Sequence, residues 1–223
     1  HPEQGFGDFI QFSRYVPLLE EKGAKVILEV HPALIPLMQS LHSNATIIVK
    51  DETPPPFDFH VPLLSLPHAF GTTVETIPAN VPYLFAEDEK VAQWDADLGT
   101  KTMPRVGLVW SGSATHTNDH NRSIPLAMLQ HWLELPIAFY SLQKEVRVQD
   151  QLLLNELPNL HDHASALQDF SDTAALIMAL DLVITVDTSV AHLAGALGKP
   201  VWMLLPFVPD YRWMLGREDT PWY

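Results

Sequence analysis

The sequence predicts an α/β protein of two lobes built on parallel sheets, and three features of the 223 residues predict it. From Arg105 onward, apolar strand-like runs alternate with helix-like segments across short loops, the order that yields a parallel sheet covered on both faces. Residues 182–186 form a β-branched apolar run suited to a buried parallel strand, which stops abruptly at Asp187-Thr188-Ser189 and gives way to a helix of small residues. The first half carries its own, separate α/β pattern, joined to the second through residues 77–102.

In order along the chain, Phe9, Phe12, Val16 and Leu19 recur at one face of a helix, which Pro17 kinks or splits and Gly23 stops. Residues 25–30 alternate as a strand. Pro32 opens a short helix at its first position. Residues 45–49 make a second strand, 51–56 a proline-rich loop, and 59–64 a further strand; the prolines up to Pro67 disfavour regular helix there. In the join, residues 87–98 form a helix with Val91 and Trp94 inward. Then follow strand 105–110, helix 125–133, strand 138–142, helix 146–155, helix 172–180, strand 182–186, helix 190–197 and strand 201–205. Thr188 or Ser189 serves as N-cap of the helix after 186.

Composition narrows the function. An apolar fraction of 47% and a charged fraction of 18% fit a soluble globular protein long enough to bury real cores. A net charge of −14 argues against nucleic acid and anionic membrane surfaces, although a helix terminus and one or two cations still suffice for a nucleotide. The absence of cysteine excludes disulfides and thiolate metal sites. No run is long enough for a transmembrane span, and no solenoid-period repeat is present.

The segment D-T-S-V-A-H-L-A-G-A-L-G-K-P-V-W, residues 187–202, resembles the donor-site segment of glycosyltransferase family 9, the heptosyltransferase-like enzymes, in the version that accompanies tetratricopeptide repeats in large bacterial proteins. The likeness includes Gln4-Gly5-Phe6-Gly7-Asp8 with Ile10-Gln11-Phe12. It continues through Gly107-Leu108-Val109-Trp110-Ser111-Gly112, Asn121-Arg122-Ser123-Ile124-Pro125-Leu126 and Asp172-Thr173-Ala174-Ala175-Leu176, in the family's order. The resemblance implies a GT-B-like fold of two Rossmann-like lobes, an acceptor lobe over 1–99 and a nucleotide-sugar lobe over 100–223. It implies a metal-independent glycosyltransferase that uses a nucleoside-diphosphate sugar as donor substrate, with no cofactor, and a glycan, lipid or protein acceptor. Against the family pattern both ends look truncated: no strand precedes Gly5, and a closing helix is expected after Tyr223. Tetratricopeptide repeats would lie outside these residues. The expected location is cytoplasmic, with or without membrane association.

The candidate site residues each carry two readings. Asp8 in the glycine loop with Gly7 is a helix cap, or, as the resemblance implies, the general base that deprotonates an acceptor hydroxyl. Ser111 and Ser113 at a strand end make a plain βα loop or cradle phosphate. Arg122 is a surface arginine or, by resemblance, grips the diphosphate. Gln143, Lys144 and Glu145 begin a solvated helix or meet the nucleoside. Asp172-Thr173 is simply a helix N-terminus or also forms part of the base pocket. Asp187, Thr188, Ser189 and His192 form the best cluster: Thr188 and Ser189 suit phosphate oxygens, Asp187 orders the loop or holds sugar hydroxyls, and His192, one turn on, is structural or contacts phosphate or sugar. His116 with His120, and His161-Asp162-His163, evoke a metal site, but lack a third ligand and HExxH chemistry. Two other functions stay open: a catalytically inactive nucleotide- or sugar-binding module in a repeat-protein scaffold, and a two-lobed epimerase, which needs carboxylates on both faces of a sugar carbon. The question separating them is whether Asp8 and Asp187 face one cleft.

Overall fold

The computed structural model describes all of residues 1–223. The first amphipathic helix is split into α1 (Phe6–Phe12) and α2 (Tyr15–Glu21). The break lies one turn before Pro17, where physics puts it. Proline cannot donate to the carbonyl four residues back and its ring crowds that carbonyl, so Ser13 O instead accepts from Val16 N–H at 2.9 Å. Gly23, at φ +89°, ends α2 in the left-handed region. Strand β1 (Ile27–Val30) pairs in parallel with β2 (Thr46–Val49), with a 3₁₀ turn (Pro32–Leu34) and α3 (Ile35–Met38) crossing between them.

The strand expected over 59–64 does not form. One rung of parallel pairing remains there, with His1 N–H donating to Val61 O at 3.2 Å and Leu63 N–H to His1 O at 3.0 Å. Beyond that rung the chain turns into a 3₁₀ turn (Leu63–Ser65) and the single-turn α4 (Leu66–Ala69). The joining helix α5 (Asp88–Asp97) buries Trp94 and half-buries Val91, as its spacing predicts.

The second lobe comprises β3 (Arg105–Val109), α6 (Asp119–Arg122), a 3₁₀ run (Leu126–Glu134), β4 (Ala138–Ser141), α7 (Val148–Glu156), β5 (Leu160–Asp162), α8 (Phe170–Met178), β6 (Leu182–Val186), α9 (Ser189–Ala196) and β7 (Val201–Leu204). All pairings are parallel, in the order β5-β4-β3-β6-β7. Strand β5 and the one-turn α6 are additions to the expected elements. The expected helix at 125–133 is 3₁₀ in hydrogen bonding, with Leu126, Leu129 and Leu133 inward. Helix α8 starts earlier than 172 because Asp169, not Asp172, is its N-cap, accepting from Ser171 N–H at 2.7 Å and Asp172 N–H at 3.1 Å.

Strand order reverses between β3 and β6, so the loops after these strands diverge and open the crevice where ligands bind in such sheets. A cluster of 31 buried apolar residues runs from α1–α3 and β1 into α8 and α9. A second, of 10, lies under β3–β5 against the 3₁₀ run and α7. The larger core therefore belongs to both lobes, and α8 and α9 are the helices that weld them. No helix is long and apolar enough to cross a membrane.

Candidate functional site

The two helix N-termini with the clearest sequence signals meet in space. Helix α1 packs on α9 so closely that a Cβ at Gly7 would stand 2.7 Å from His192 Cδ2 and 3.3 Å from the Ser189 Cα, which is why glycine occupies that position. Thr188 is the N-cap residue of α9 by backbone geometry, but its hydroxyl turns back to Thr185 Oγ1 at 3.1 Å and bonds no helix N–H. The first-turn N–H groups of α9 thus carry no side-chain cap, and half-buried Ser189 sits beside them.

A strap formed by residues 206–223 crosses from the second lobe over this meeting point. Arg212 reaches Asp8 on α1 and pairs with its Oδ1, while Asp8 Oδ2 accepts Gly5 N–H at 3.0 Å. Asp8 therefore caps its helix as its third residue and forms an interlobe ion pair at the same time; its side chain is 16% exposed and that of Arg212 10%. Asp210 holds Arg212 from the other side at 3.0 Å. Burial alone would lower the Arg212 pKa, but the charges of Asp8 and Asp210 outweigh it and the net shift is upward. Asp187 lies in the same field: burial, and then Asp210, raise its carboxyl above the ordinary value against the pull of Trp213, Arg122 and Arg212. Arg212 is thus paired with Asp8 and is one of the charges that act on Asp187.

His192 is packed into the site region from all sides. It is 5% exposed. Its Nδ1 pairs with Tyr223 Oη at 2.8 Å, and its ring stacks on Trp213 with centroids 5.1 Å apart. Burial, with Arg212 and Arg14 nearby, brings its pKa from 6.5 down to about 3, so the ring is neutral near pH 7. It braces the strap against α1 and offers no positive charge to an anion.

The β3 edge holds the second group. Ser111 is buried and its hydroxyl has no partner, whereas exposed Ser113 bonds Thr115 Oγ1 at 2.9 Å. Arg122 Nη1 donates to Asp187 O at 2.8 Å, tying the loops after β3 and β6 together across the switch point. Arg122 Nε donates to Asp119 Oδ1 at 3.2 Å. A Cβ at Gly112 would fall 2.5 Å from Arg122 Nη2 and 2.7 Å from Asp119 Oδ1, so glycine lets this pair lie flat on the loop.

Gln143 is used up internally. Its Oε1 accepts from Trp110 and Ser111 N–H at 3.3 and 3.1 Å, and its Nε2 donates to Ser111 O and Glu145 O at 2.9 and 3.0 Å. It shapes the β3 loop rather than presenting an amide to solvent. Lys144 Nζ is drawn to the carbonyls of Ala164 and Leu167. Asp172 completes the cap of α8 by accepting from Gln168 and Asp169 N–H at 2.9 and 3.3 Å, and pairs with Lys90 of α5 at 2.8 Å. Exposed His161 lies on β5 and half-buried His163 just beyond it; their rings stack on Tyr140 at 5.1 and 6.1 Å between centroids.

The structure thus brings together Gly7, Asp8, Asp187, Thr188, Ser189 and His192, and links Arg122 to them through the Asp187 backbone, while Ser111 is bonded through its backbone to Gln143. Ser113 stands further out on the loop, and Gln143 and Lys144 act on backbone. Asp119, Arg147, Asp210, Arg212, Trp213 and Tyr223 belong to the site region and carry no motif. Asp119 alone left a trace, its spacing of three residues from Arg122.

The fold and site define a two-lobed, GT-B-like α/β protein with its crevice at the strand ends of the second lobe. A family model matches part of this chain, and solved structures share its fold. Residues 164–204 match the family model described as Glycosyltransferase family 9 (heptosyltransferase). The glycosyl transferase family 9 structure from Veillonella parvula superposes over 93% of this chain and 80% of its own, with a TM-score of 0.64 at 11% identity. The E. coli heptosyltransferase WaaC, solved with ADP-2-deoxy-2-fluoro heptose, superposes over 93% of this chain and 88% of its own, with a TM-score of 0.52 at 9% identity. At these identities the likeness is one of fold. Protein FlbA of Caulobacter vibrioides is 27% identical over 246 residues; the match covers 99% of this chain and 41% of FlbA, so the chain spans less than half of that relative.

Proposed function

We propose that this chain is the glycosyltransferase unit of a larger protein and moves a sugar from a nucleoside diphosphate to a hydroxyl acceptor. The observation that carries the proposal is the packing of α1, with Gly7 and Asp8 in its first turn, against the uncapped N-terminus of α9. The donor diphosphate lies at the first turn of α9 with Ser189, Ser111 and Arg122, where N–H groups and a cation offset the charge growing on the leaving group. Asp187 orders the loop and meets sugar hydroxyls. Asp8, on the opposite lobe, takes the proton of the acceptor hydroxyl as the oxygen attacks the anomeric carbon and the bond to the diphosphate breaks. Both Asp8 oxygens are engaged, so the base is freed only when Arg212 withdraws, which places strap movement before chemistry.

That same engagement favours a second reading, in which Asp8 and Arg212 form a permanent lock and the unit binds nucleotide sugar without transferring it. Asp8→Asn in the full-length protein separates the two. Turnover falls by about 10²–10⁴-fold with donor affinity unchanged if Asp8 is the base. Transfer at the parental rate removes Asp8 from catalysis. Donor binding with no transfer by either protein, across glycan, lipid and protein acceptors, establishes the binding module.

A further inference from the structure

An open cleft of about 460 Å³ lies beside the β3 loop, walled by Thr115, His116, Thr117, His120 and Arg147, with Asp119 at its base. Asp119 is 5% exposed and, itself outside the motif segments, is the hub of a network. Its Oδ1 accepts from Arg122 Nε at 3.2 Å and Ser123 Oγ at 2.9 Å, and its Oδ2 pairs with Arg147 Nη2. Arg147 Nη2 also donates to Ser123 Oγ at 3.0 Å, and that hydroxyl accepts Gly112 N–H at 3.0 Å. One carboxylate thus fixes two guanidinium groups from different loops. Burial would raise its pKa, but Ser123, Arg122 and Arg147 outweigh that and keep it below the ordinary carboxylate value.

Donors are left over. Arg147 Nε is buried without a partner, and neither Arg147 Nη1 nor Arg122 Nη2 makes a hydrogen bond within the chain. Arg147 is the guanidinium that lines the cleft, beside His116 and His120, on a molecule of net charge −14. A buried, unpaired guanidinium nitrogen is costly unless something accepts from it. Planar N–H forks match the oxygens of phosphate.

We propose that Arg147 is a second phosphate-binding cation of this protein and that Asp119 is the positioning residue that aims Arg147 and Arg122 together at one phosphate-type anion. The anion's identity rests on the donor reading given above: it is the diphosphate of the nucleotide sugar, gripped from the β4 side by Arg147 and from the β6 side by Arg122. The clamp itself stands independently of whether sugar is transferred.

Calorimetric titration of inorganic pyrophosphate into the full-length protein tests the clamp, with Arg147→Ala, Arg147→Lys, Asp119→Asn and, as a remote cation control, Lys25→Gln. Arg147→Ala weakens pyrophosphate binding by about tenfold or more, the loss of one charge-assisted contact. Arg147→Lys, which keeps the charge and the fold but not the planar fork, recovers only part of it. Asp119→Asn is decisive by sign. If the carboxylate merely sat near the anion, removing its charge would tighten binding; if it positions the arginines, binding weakens. Tighter or unchanged binding in Asp119→Asn, parental affinity in a folded Arg147→Ala, or no pyrophosphate binding by the parent at millimolar concentration each overturns the clamp. Pyrophosphate competes with ADP or UDP if the anion is the donor's diphosphate; simultaneous binding overturns that identity and moves the clamp to a phosphorylated acceptor. Pyrophosphate binding that obeys these expectations without any transferase activity sinks the glycosyltransferase reading and leaves the clamp standing.

Discussion

His192 illustrates how one residue changes meaning between sequence and structure. Along the chain it is a helical histidine one turn past a polar strand end; in space it is sealed between Trp213, Tyr223 and Gly7. Its pKa of about 3 in the folded protein against 6.5 makes a stability prediction. Below pH 6.5 the unfolded chain takes up a proton that the folded one refuses. The stability this ring contributes is therefore complete above that pH and is lost progressively as pH falls toward 3. His192→Gln removes that component, so urea unfolding across this range gives a flatter pH dependence for the variant than for the parent. Gly7 supports a second residue-scale prediction. Gly7→Ala drives a methyl into His192 and toward the α9 backbone, and lowers stability by about 1–3 kcal/mol, the range for overpacking. Denaturant midpoints at equal slope measure it.

At the scale of elements, the strap shapes the site, and Arg14 anchors it. Arg14 is 4% exposed and has no carboxylate partner. Its guanidinium donates to the carbonyls of Pro78 (3.1 Å) and Trp222, and to Tyr83 Oη (2.9 Å), and lies 4.4 Å from the Tyr83 ring and 4.7 Å from the Tyr223 ring. Carbonyls and π faces satisfy this buried cation. Arg14→Met keeps the stem but leaves those carbonyls unpaired, at about 1–3 kcal/mol for each buried group. The expected result is a strap that opens before the rest of the protein, read as faster tryptic cleavage after Arg212 and Arg217 under native conditions. Cleavage at the parental rate would show that the strap is held elsewhere.

For the whole molecule, the continuous core joining α1–α3 to α8 and α9 decides how it unfolds. A boundary at 99/100 separates the sheets but not the core. The chain is expected to unfold in one transition with calorimetric and van't Hoff enthalpies equal. Residues 100–223 expressed alone expose the apolar faces of α8 and α9, and bind a hydrophobic dye or aggregate. Two resolved transitions would mean that the lobes are thermodynamically separate.

What the sequence alone determined is local. The alternation of buried strands with helices marked the parallel sheet of the second lobe, and β6, α9 and β7 fell within a residue of expectation because each is punctuated by its own signals: Asp187-Thr188, Gly198, Pro200. Glycine and aspartate at α1, and the polar end of β6, marked helix and strand ends that the fold brings together. The strand at 59–64 failed because the chain enters a 3₁₀ turn at Leu63, which apolar alternation does not register. Strand β5 escaped because three residues carry too little period.

Only the tertiary structure decided which groups share a field. Arg212 stands 204 residues from Asp8, and Arg147 28 residues from Asp119. Pairings at such separations arise from the way the strap and the β3 and β4 loops are carried by the sheet, and they leave no spacing to detect. Burial had the same character: the neutrality of His192, the raised pKa of Asp187 and the unpaired Nε of Arg147 depend on what covers each side chain, and the cover comes from segments distant in the chain.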